Sequence, residues 1–298
     1  MRKISFSCVL FVLCMLAIPF QAAADDYIRG DVNEDGNVSI SDVTALIDYL
    51  LTDVWPEDQP QEYEIFTVNG IEFKMIKVEG GTFTMGASGT DLEAQDNEFP
   101  GHLVTLDTYY IGELEVTQQL WRAVMGSNPS QYTNNLLFPV EMVSWSQCQT
   151  FITKLNQITG KRFRMPTEAE WEFAARGGIK SKGYKYSGSN DVDEVAWYSG
   201  NSSGCHHVVG TKAPNELGIY DMSGNVWEWC QDWYGAYSAN AQVNPTGPTS
   251  GSHYVYRGGS FYYYGATVCR VTSRKYTNGS SPGMPWNYLG LRLAMSVQ

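Results

Sequence analysis

Oxygen-bearing side chains recur at a fixed spacing in "DVNEDGNVSISD", residues 31–42. Asp31, Asn33, Asp35, Asn37, Ser39 and Asp42 occupy positions 1, 3, 5, 7, 9 and 12 of this loop. Gly36 at position 6 permits a sharp turn, and Val38 at position 8 can pack inward. Calcium takes six to eight oxygen ligands at this spacing, position 7 contributing its backbone carbonyl, so the segment predicts a calcium loop. In "SDVTALIDYLL", which follows, Val43, Leu46, Ile47, Leu50 and Leu51 share one helical face. That face must be covered by the rest of the chain or by a partner.

A second stretch, "RGGSFYYYGATVCRVTSRKYTNGSS" (residues 257–281), holds no period of 2 or 3.6. Phe261, Tyr262, Tyr263, Tyr264, Tyr276, Trp286 and Tyr288 are interleaved with Gly, Ala, Thr, Ser and Asn. Rigid aromatics among small adaptable residues suit a binding surface. Packing of the same rings inside a loop-rich core is the alternative. Catalytic side chains are sparse. The histidines, His102, His206, His207 and His253, form no triad at ligand spacing. His206 and His207 are adjacent and would point to opposite faces of an extended chain.

These stretches sit in a chain of 298 residues with 43% hydrophobic and 17% charged residues, 29 Gly, 19 Tyr and 9 Trp. The mix favours a loop-rich α+β fold over a helical bundle. Arg2 and Lys3 precede the apolar run of residues 4–20, and Ala22 and Ala24 follow it. This predicts a signal peptide over 1–24 and a secreted, periplasmic or extracellular protein. No later apolar stretch is long enough to span a membrane. The 20 Lys and Arg face 32 Asp and Glu, a net charge of −12, which argues against nucleic acid as a partner and suits calcium. Cys148, Cys205, Cys230 and Cys269 lie beyond the signal, where an oxidising compartment could pair them. Cys148 falls on an apolar helical stripe and reads as a buried thiol.

The elements that must position these residues begin near Ile65, after the acidic, Pro-containing linker of residues 53–64. "VEGGTFTMG" (78–86) predicts a strand with glycine breaks. "EVTQQLWRAVMG" predicts a helix capped by Thr117 and stopped at Gly126. In "SWSQCQTFITKLNQITG", Cys148, Phe151, Ile152, Leu155 and Ile158 form one helical face ending at Gly160. "PTEAEWEFAARGG" carries a capping box, Thr167 with Glu170, and stops at Gly177. Past Gly178 the pattern is short strands and long loops. The chain divides into signal (1–24), calcium loop-helix (25–52), linker (53–64) and main domain (65–298).

Two resemblances sharpen this reading. Residues 31–51 resemble one repeat of a type I dockerin, which normally has two. From Val78 to Ala294, "GGTFTMG", "EFPGHLVTL", "YIGELEVTQQLW", "PVEMVSW", "RFRMPTEAEWEFAARGG", "NELGIYDMSGNVWEW", "YRGGSF" and "LGLRLA" resemble the formylglycine-generating enzyme, or sulfatase-modifying factor, family. That resemblance implies a C-type-lectin-like α+β fold. It also implies a calcium on "YDMSGNVWEW", held by the Asp221 and Glu228 side chains and the Gly224 and Val226 carbonyls. The proximity of Cys230 and Cys269 to family motifs implies a disulfide between them.

Active members of the family bind copper with two cysteines, five positions apart, after "GGS". Cys269 is the lone cysteine of that segment here. The segment is also similar to the C-terminal variable regions of retroelement-diversified proteins of this fold. The expectation is therefore a secreted, non-catalytic protein that binds a protein or glycan ligand through residues 261–288. One alternative is an oxidoreductase of the formylglycine-generating or another metal-dependent type. Another is an extracellular accessory protein tethered to a partner through the calcium helix.

Overall fold

A computed structural model describes residues 63–262, 265–277 and 285–297. The chain divides into two compact units, Met1–Gln61 and Glu62–Gln298. The signal segment, the calcium loop with Asp31, Asn33, Asp35, Asn37, Ser39 and Asp42, and Tyr263 and Tyr264 all lie outside the described residues. No helix of the described residues is long and apolar enough to cross a membrane.

Helices in the second unit start where side chains can satisfy the first free amides. α1 (Gln118–Met125) follows Thr117, whose hydroxyl accepts from the Leu120 amide, and stops at Gly126 with φ 79°. α2 (Trp145–Thr159) begins on a reciprocal cap between Ser144 and Gln147 and stops at Gly160 with φ 69°. Glycine tolerates this left-handed stop because it lacks a Cβ. α3 (Glu168–Ala175) begins on the Thr167–Glu170 capping box and ends at Arg176. α4 (Val192–Val195) is a single turn. α2 buries Cys148, Phe151, Ile152 and Leu155, and Phe151 stacks on Trp121 of α1 with ring centroids 4.8 Å apart. Ile158, expected on the same face, is 49% exposed, because the last turn carries it past the buried cluster.

The described strands, in chain order, are β1 (Tyr63–Val68), β2 (Ile71–Val78), β3 (Gly81–Met85), β4 (His102–Leu106), β5 (Tyr109–Gly112), β6 (Phe163–Arg164), β7 (Trp227–Trp233), β8 (Gln242–Val243), β9 (Tyr254–Arg257), β10 (Arg274–Tyr276), β11 (Leu289–Gly290) and β12 (Ala294–Ser296). They form sheets ordered β1-β2-β5-β12-β6, β10-β9-β7-β11 and β3-β4-β8. The single strand expected over 78–86 is thus split between two sheets. At the break, a Cβ on Gly80 would lie 2.5 Å from the Leu106 carbonyl oxygen, so only glycine passes there. Few helices, short strands and long loops make the α+β architecture that composition implied.

α3 is the ionic hub of the unit. Arg274 of β10 donates to both Glu168 oxygens at 2.7 and 2.6 Å. Arg257 of β9 pairs with Glu172 and Glu168, and Arg164 of β6 grips both oxygens of Glu170 at 2.6 Å. Burial would push the Glu172 carboxyl up, but Arg176 and Arg257 hold it below the ordinary carboxylate range. Charges taken from water this way are tolerated only when each finds a well-placed partner.

Candidate ligand-binding groove

β9 and β10 pair antiparallel, Tyr256 opposite Lys275 and Val255 opposite Tyr276. Side chains alternate faces along β9: Val255 and Arg257 are buried, while Tyr254 and Tyr256 stay half-buried on the other face. On that face the Tyr256 ring meets Trp227 edge-on at 5.1 Å, Trp229 at 5.8 Å and Trp286 at 6.1 Å. Tyr276 stacks on Tyr234 at 3.9 Å. Trp286 stacks on Tyr288 at 5.6 Å, and Tyr288 on Tyr262 at 5.8 Å. Trp227, Tyr234, Tyr256, Tyr276, Trp286 and Tyr288 line a groove of about 590 Å³ together with Lys275 and residues 94–97.

These lining segments are tied together below the surface. Arg270 donates to both Glu98 oxygens, at 2.6 and 2.8 Å, to Asp91 at 2.9 Å and to the Glu93 carbonyl at 3.0 Å. The Asn97 side-chain amide donates to the Arg274 carbonyl at 3.3 Å, and the Arg274 guanidinium donates back to the Asn97 carbonyl at 3.2 Å. Planar guanidinium forks hold such geometry more rigidly than point charges would.

Of the residues expected at a binding surface, Tyr276, Trp286 and Tyr288 line this groove, and Tyr262 stands beside Tyr288 at 36% exposure. Phe261 does not belong to the surface. It is 1% exposed, its amide donates to the Asn225 carbonyl at 2.8 Å, and its carbonyl accepts from the Ser202 hydroxyl at 2.9 Å. Its ring packs against His206 and Tyr132. Trp227, Tyr234, Tyr256 and the Gln95–Asn97 segment were not singled out from sequence. The alternation of "YVYR" was the available signal for Tyr256.

At the "YDMSGNVWEW" turn both side chains expected to hold calcium have partners within the chain. Both Glu228 oxygens are engaged, by Arg292 at 2.7 to 3.0 Å and by the Trp171 indole at 2.7 Å. Asp221, at φ 57°, accepts from the Gly210 amide at 2.6 Å through one oxygen, while its other buried oxygen has no hydrogen-bond partner. Gly224 and Val226 flank Asn225, whose side chain and whose neighbour's amide are drawn to Glu115 at 2.6 and 3.0 Å. Among the described residues no group of three or more Cys, His, Asp and Glu side chains is arranged to hold a metal. Burial pushes the Asp221 carboxyl up to about 6, and Glu115 rises well above the carboxylate range through burial and the Asp221 and Glu228 charges.

The expected Cys230–Cys269 cross-link is not formed. Both are buried free thiols in separate core clusters, Cys230 packed with Trp171 and Val255, Cys269 with Val268 and Tyr186. Burial pushes the Cys269 thiol up to about 12, far from a ready thiolate. Gly259, at φ 82°, crosses directly over it: a Cβ there would lie 2.7 Å from the Cys269 sulfur. Gly259 of "RGGS" is needed for this crossing, while Gly258 lies against Trp171.

Comparison with known proteins adds to this geometry. The family model described as sulfatase-modifying factor enzyme 1-like domain matches residues 66–297, and that of the dockerin type I domain matches residues 29–66. The chain is 36% identical over 210 residues to the chaperone protein LppX of Paenibacillus barcinonensis, covering 54% of this chain and 71% of that protein. It is 28% identical over 276 residues to the formylglycine-generating enzyme of Thermomonospora curvata, covering 69% of this chain and 86% of that one. Among solved structures, Treponema denticola variable protein 1 shares its fold with a TM-score of 0.70 at 34% identity, over 80% of this chain and 100% of that chain.

Proposed function

The chain belongs to the sulfatase-modifying factor family, with its C-type-lectin-like fold, and from that premise we propose a binding protein rather than an oxidase. The observation that carries this reading is the groove of about 590 Å³ walled by Trp227, Tyr234, Tyr256, Tyr276, Trp286 and Tyr288. Aromatic anchors in a preformed concavity are the usual source of binding energy. The oxidase alternative needs two thiolates for a soft metal, and residues 257–298 contain one cysteine. Two of the similar proteins bear names that suit recognition, a chaperone and a variable protein, whereas a third is named as the enzyme.

The protein is read as exported through its signal segment. Its dockerin-type match supports a calcium-held loop-helix at residues 31–51, with calcium as cofactor and a cohesin-type extracellular partner for that helix. The groove is then presented outside the cell, tethered through the first unit.

Arrays of peptides and of glycans probed with the full chain test this reading. Retention is expected on one class, and it is expected to fall at least tenfold in a Trp286→Ala/Tyr288→Ala variant that melts within a few degrees of the parent. Copper- and oxygen-dependent conversion of a cysteine-containing sulfatase peptide by the unmodified chain would restore the oxidase reading.

A further inference from the structure

We infer that a second cavity, of about 340 Å³, takes a primary alkylammonium group. It shares no lining residue with the groove. Two buried side chains of its lining each carry an atom that the chain leaves without a hydrogen bond. Asp232, 4% exposed, accepts from the Glu168 amide at 3.0 Å through Oδ2, and Oδ1 meets no donor among the described residues. Gly247 of the lining, at φ 71°, leaves that oxygen uncovered, since a Cβ there would lie 3.1 Å from it. His102, also 4% exposed, bonds the Pro100 carbonyl at 3.1 Å through Nδ1. A carbonyl only accepts, so Nδ1 donates and the neutral ring keeps its lone pair on Nε2. Nε2 has no partner among the described residues. Polar atoms this deep are normally paired, so both call for a donor from outside the chain.

The cavity lacks a free cation as well as a donor. Arg274 lines it, but that guanidinium is spent on both Glu168 oxygens and on the Asn97 and Gly235 carbonyls. Burial, then the Glu168 charge, holds the Asp232 carboxyl well above the ordinary carboxylate range; Glu170 adds to the rise, and the Glu168 amide and Arg274 oppose it. Cys230 and Tyr237, the neighbouring acids, are themselves held well above their ordinary ranges by burial. An ammonium supplies the missing counter-charge: Asp232 gives its proton to solvent and accepts an N–H at Oδ1, with Nε2 of His102 a further acceptor on the lining. Met85, Ala169, Pro245 and Pro248 offer apolar surface for a methylene stem. An anion would face Asp232 and Glu168 with no free cation to meet it. An uncharged amide could donate to the same atoms, but it would leave the proton on Asp232.

Calorimetry on the full chain tests this with Nα-acetyl-lysine amide and with n-butylamine, which carry the ammonium on a peptide side chain and on a free amine. Binding of either supports the inference. Affinity at least about tenfold weaker is expected for Nα,Nε-diacetyl-lysine amide, which keeps the stem and loses the charge. The same loss is expected for the ammonium probe on Asp232→Asn, which keeps an acceptor for the Glu168 amide. Parent affinity is expected to rise with pH above the ordinary carboxylate range, and the heat to differ between phosphate and Tris buffers because a proton is released. Asp232→Asn should show neither effect, whereas His102 is common to both proteins. Should that variant unfold, Gly247→Ala, on an exposed loop, places a methyl over Oδ1 and is expected to weaken binding roughly threefold or more. Leu92→Ala, outside the lining, is the control and is expected to leave affinity unchanged. Equal affinity for the diacetylated probe, a parent affinity that ignores pH, or binding unmoved by both cavity variants overturns the inference. Absence of binding by both ammonium probes at millimolar concentration also overturns it, and the groove reading stands in every case.

Discussion

Arg292 grips Glu228 through both carboxylate oxygens, at 2.7 to 3.0 Å, and neither side chain reaches water. The rest of the guanidinium donates to the Gly112 and Tyr220 carbonyls at 2.8 Å. One arginine thus ties β5, the turn before β7 and the segment between β11 and β12. Arg292→Met removes the cation and leaves Glu228 buried without its counter-charge. A loss of about 3–5 kcal/mol of folding stability is expected. Denaturant unfolding measures it, and a loss under about 1 kcal/mol would show that the pair does not hold the fold as described.

How far the sequence showed this in advance differs by feature. Helix ends were legible because Thr117, Ser144, Thr167, Gly126 and Gly160 act locally, through amides and φ angles a few residues away. The ionic lattice was not, because Glu168 and Arg274 are 106 residues apart and a charged side chain reads as solvated until the fold buries it. The groove falls between these cases. Residue type marked Tyr276, Trp286 and Tyr288, but Asn97 is brought in from 177 residues upstream of Arg274. Phe261 was misjudged because its burial is set by backbone bonds to Asn225 and Ser202, which leave no trace in composition.

Acidity is expected to act on the Asp221 carboxyl with a definite sign. Burial, reinforced by Glu228, raises it to about 6 against the pull of the Gly210 amide and Arg292. The unfolded value is about 3.9. Between these values the folded chain binds the proton more tightly than the unfolded one, so stability rises as pH falls from above 6 toward 4. Glu172, held low by Arg176 and Arg257, has the opposite sign and loses stability at more acid pH. From pH 7 to pH 5 the parent is expected to gain melting temperature relative to Asp221→Asn, by roughly 2–4 °C per kcal/mol recovered. Equal slopes for the two proteins would contradict the assignment.

Calcium is expected to depend on the first unit alone. The loop spacing of Asp31, Asn33, Asp35, Asn37, Ser39 and Asp42 supplies the oxygens, while Glu228 of the second unit is paired with Arg292. After dialysis against trace calcium, elemental analysis of the full chain should find one tightly held ion. Asp31→Ala/Asp35→Ala should lose it. An ion that stays with the double variant would mean that the Asp221–Glu228 turn rearranges to bind one.

The Arg270–Glu98 pair is expected to set the shape of the groove. Glu98 is buried, takes both of its Arg270 contacts at 2.6 and 2.8 Å, and also accepts from the Gln95 amide at 3.1 Å. It therefore anchors the loop whose residues 94–97 line the groove. Glu98→Gln keeps the size of the side chain and the acceptor for Gln95, but it discards the charge that holds Arg270. Asp91, at 2.9 Å, continues to neutralise part of that guanidinium. Damage is thus expected to be local: amide hydrogens of residues 91–99 should exchange at least about tenfold faster, corresponding to about 1.4 kcal/mol of lost local stability. Amides of β7 and β9 should keep their protection, because Arg257 and Arg274 still bind Glu168 and Glu172. Uniformly faster exchange would make Glu98 a global stability residue, and unchanged exchange in the loop would remove it as the groove's anchor.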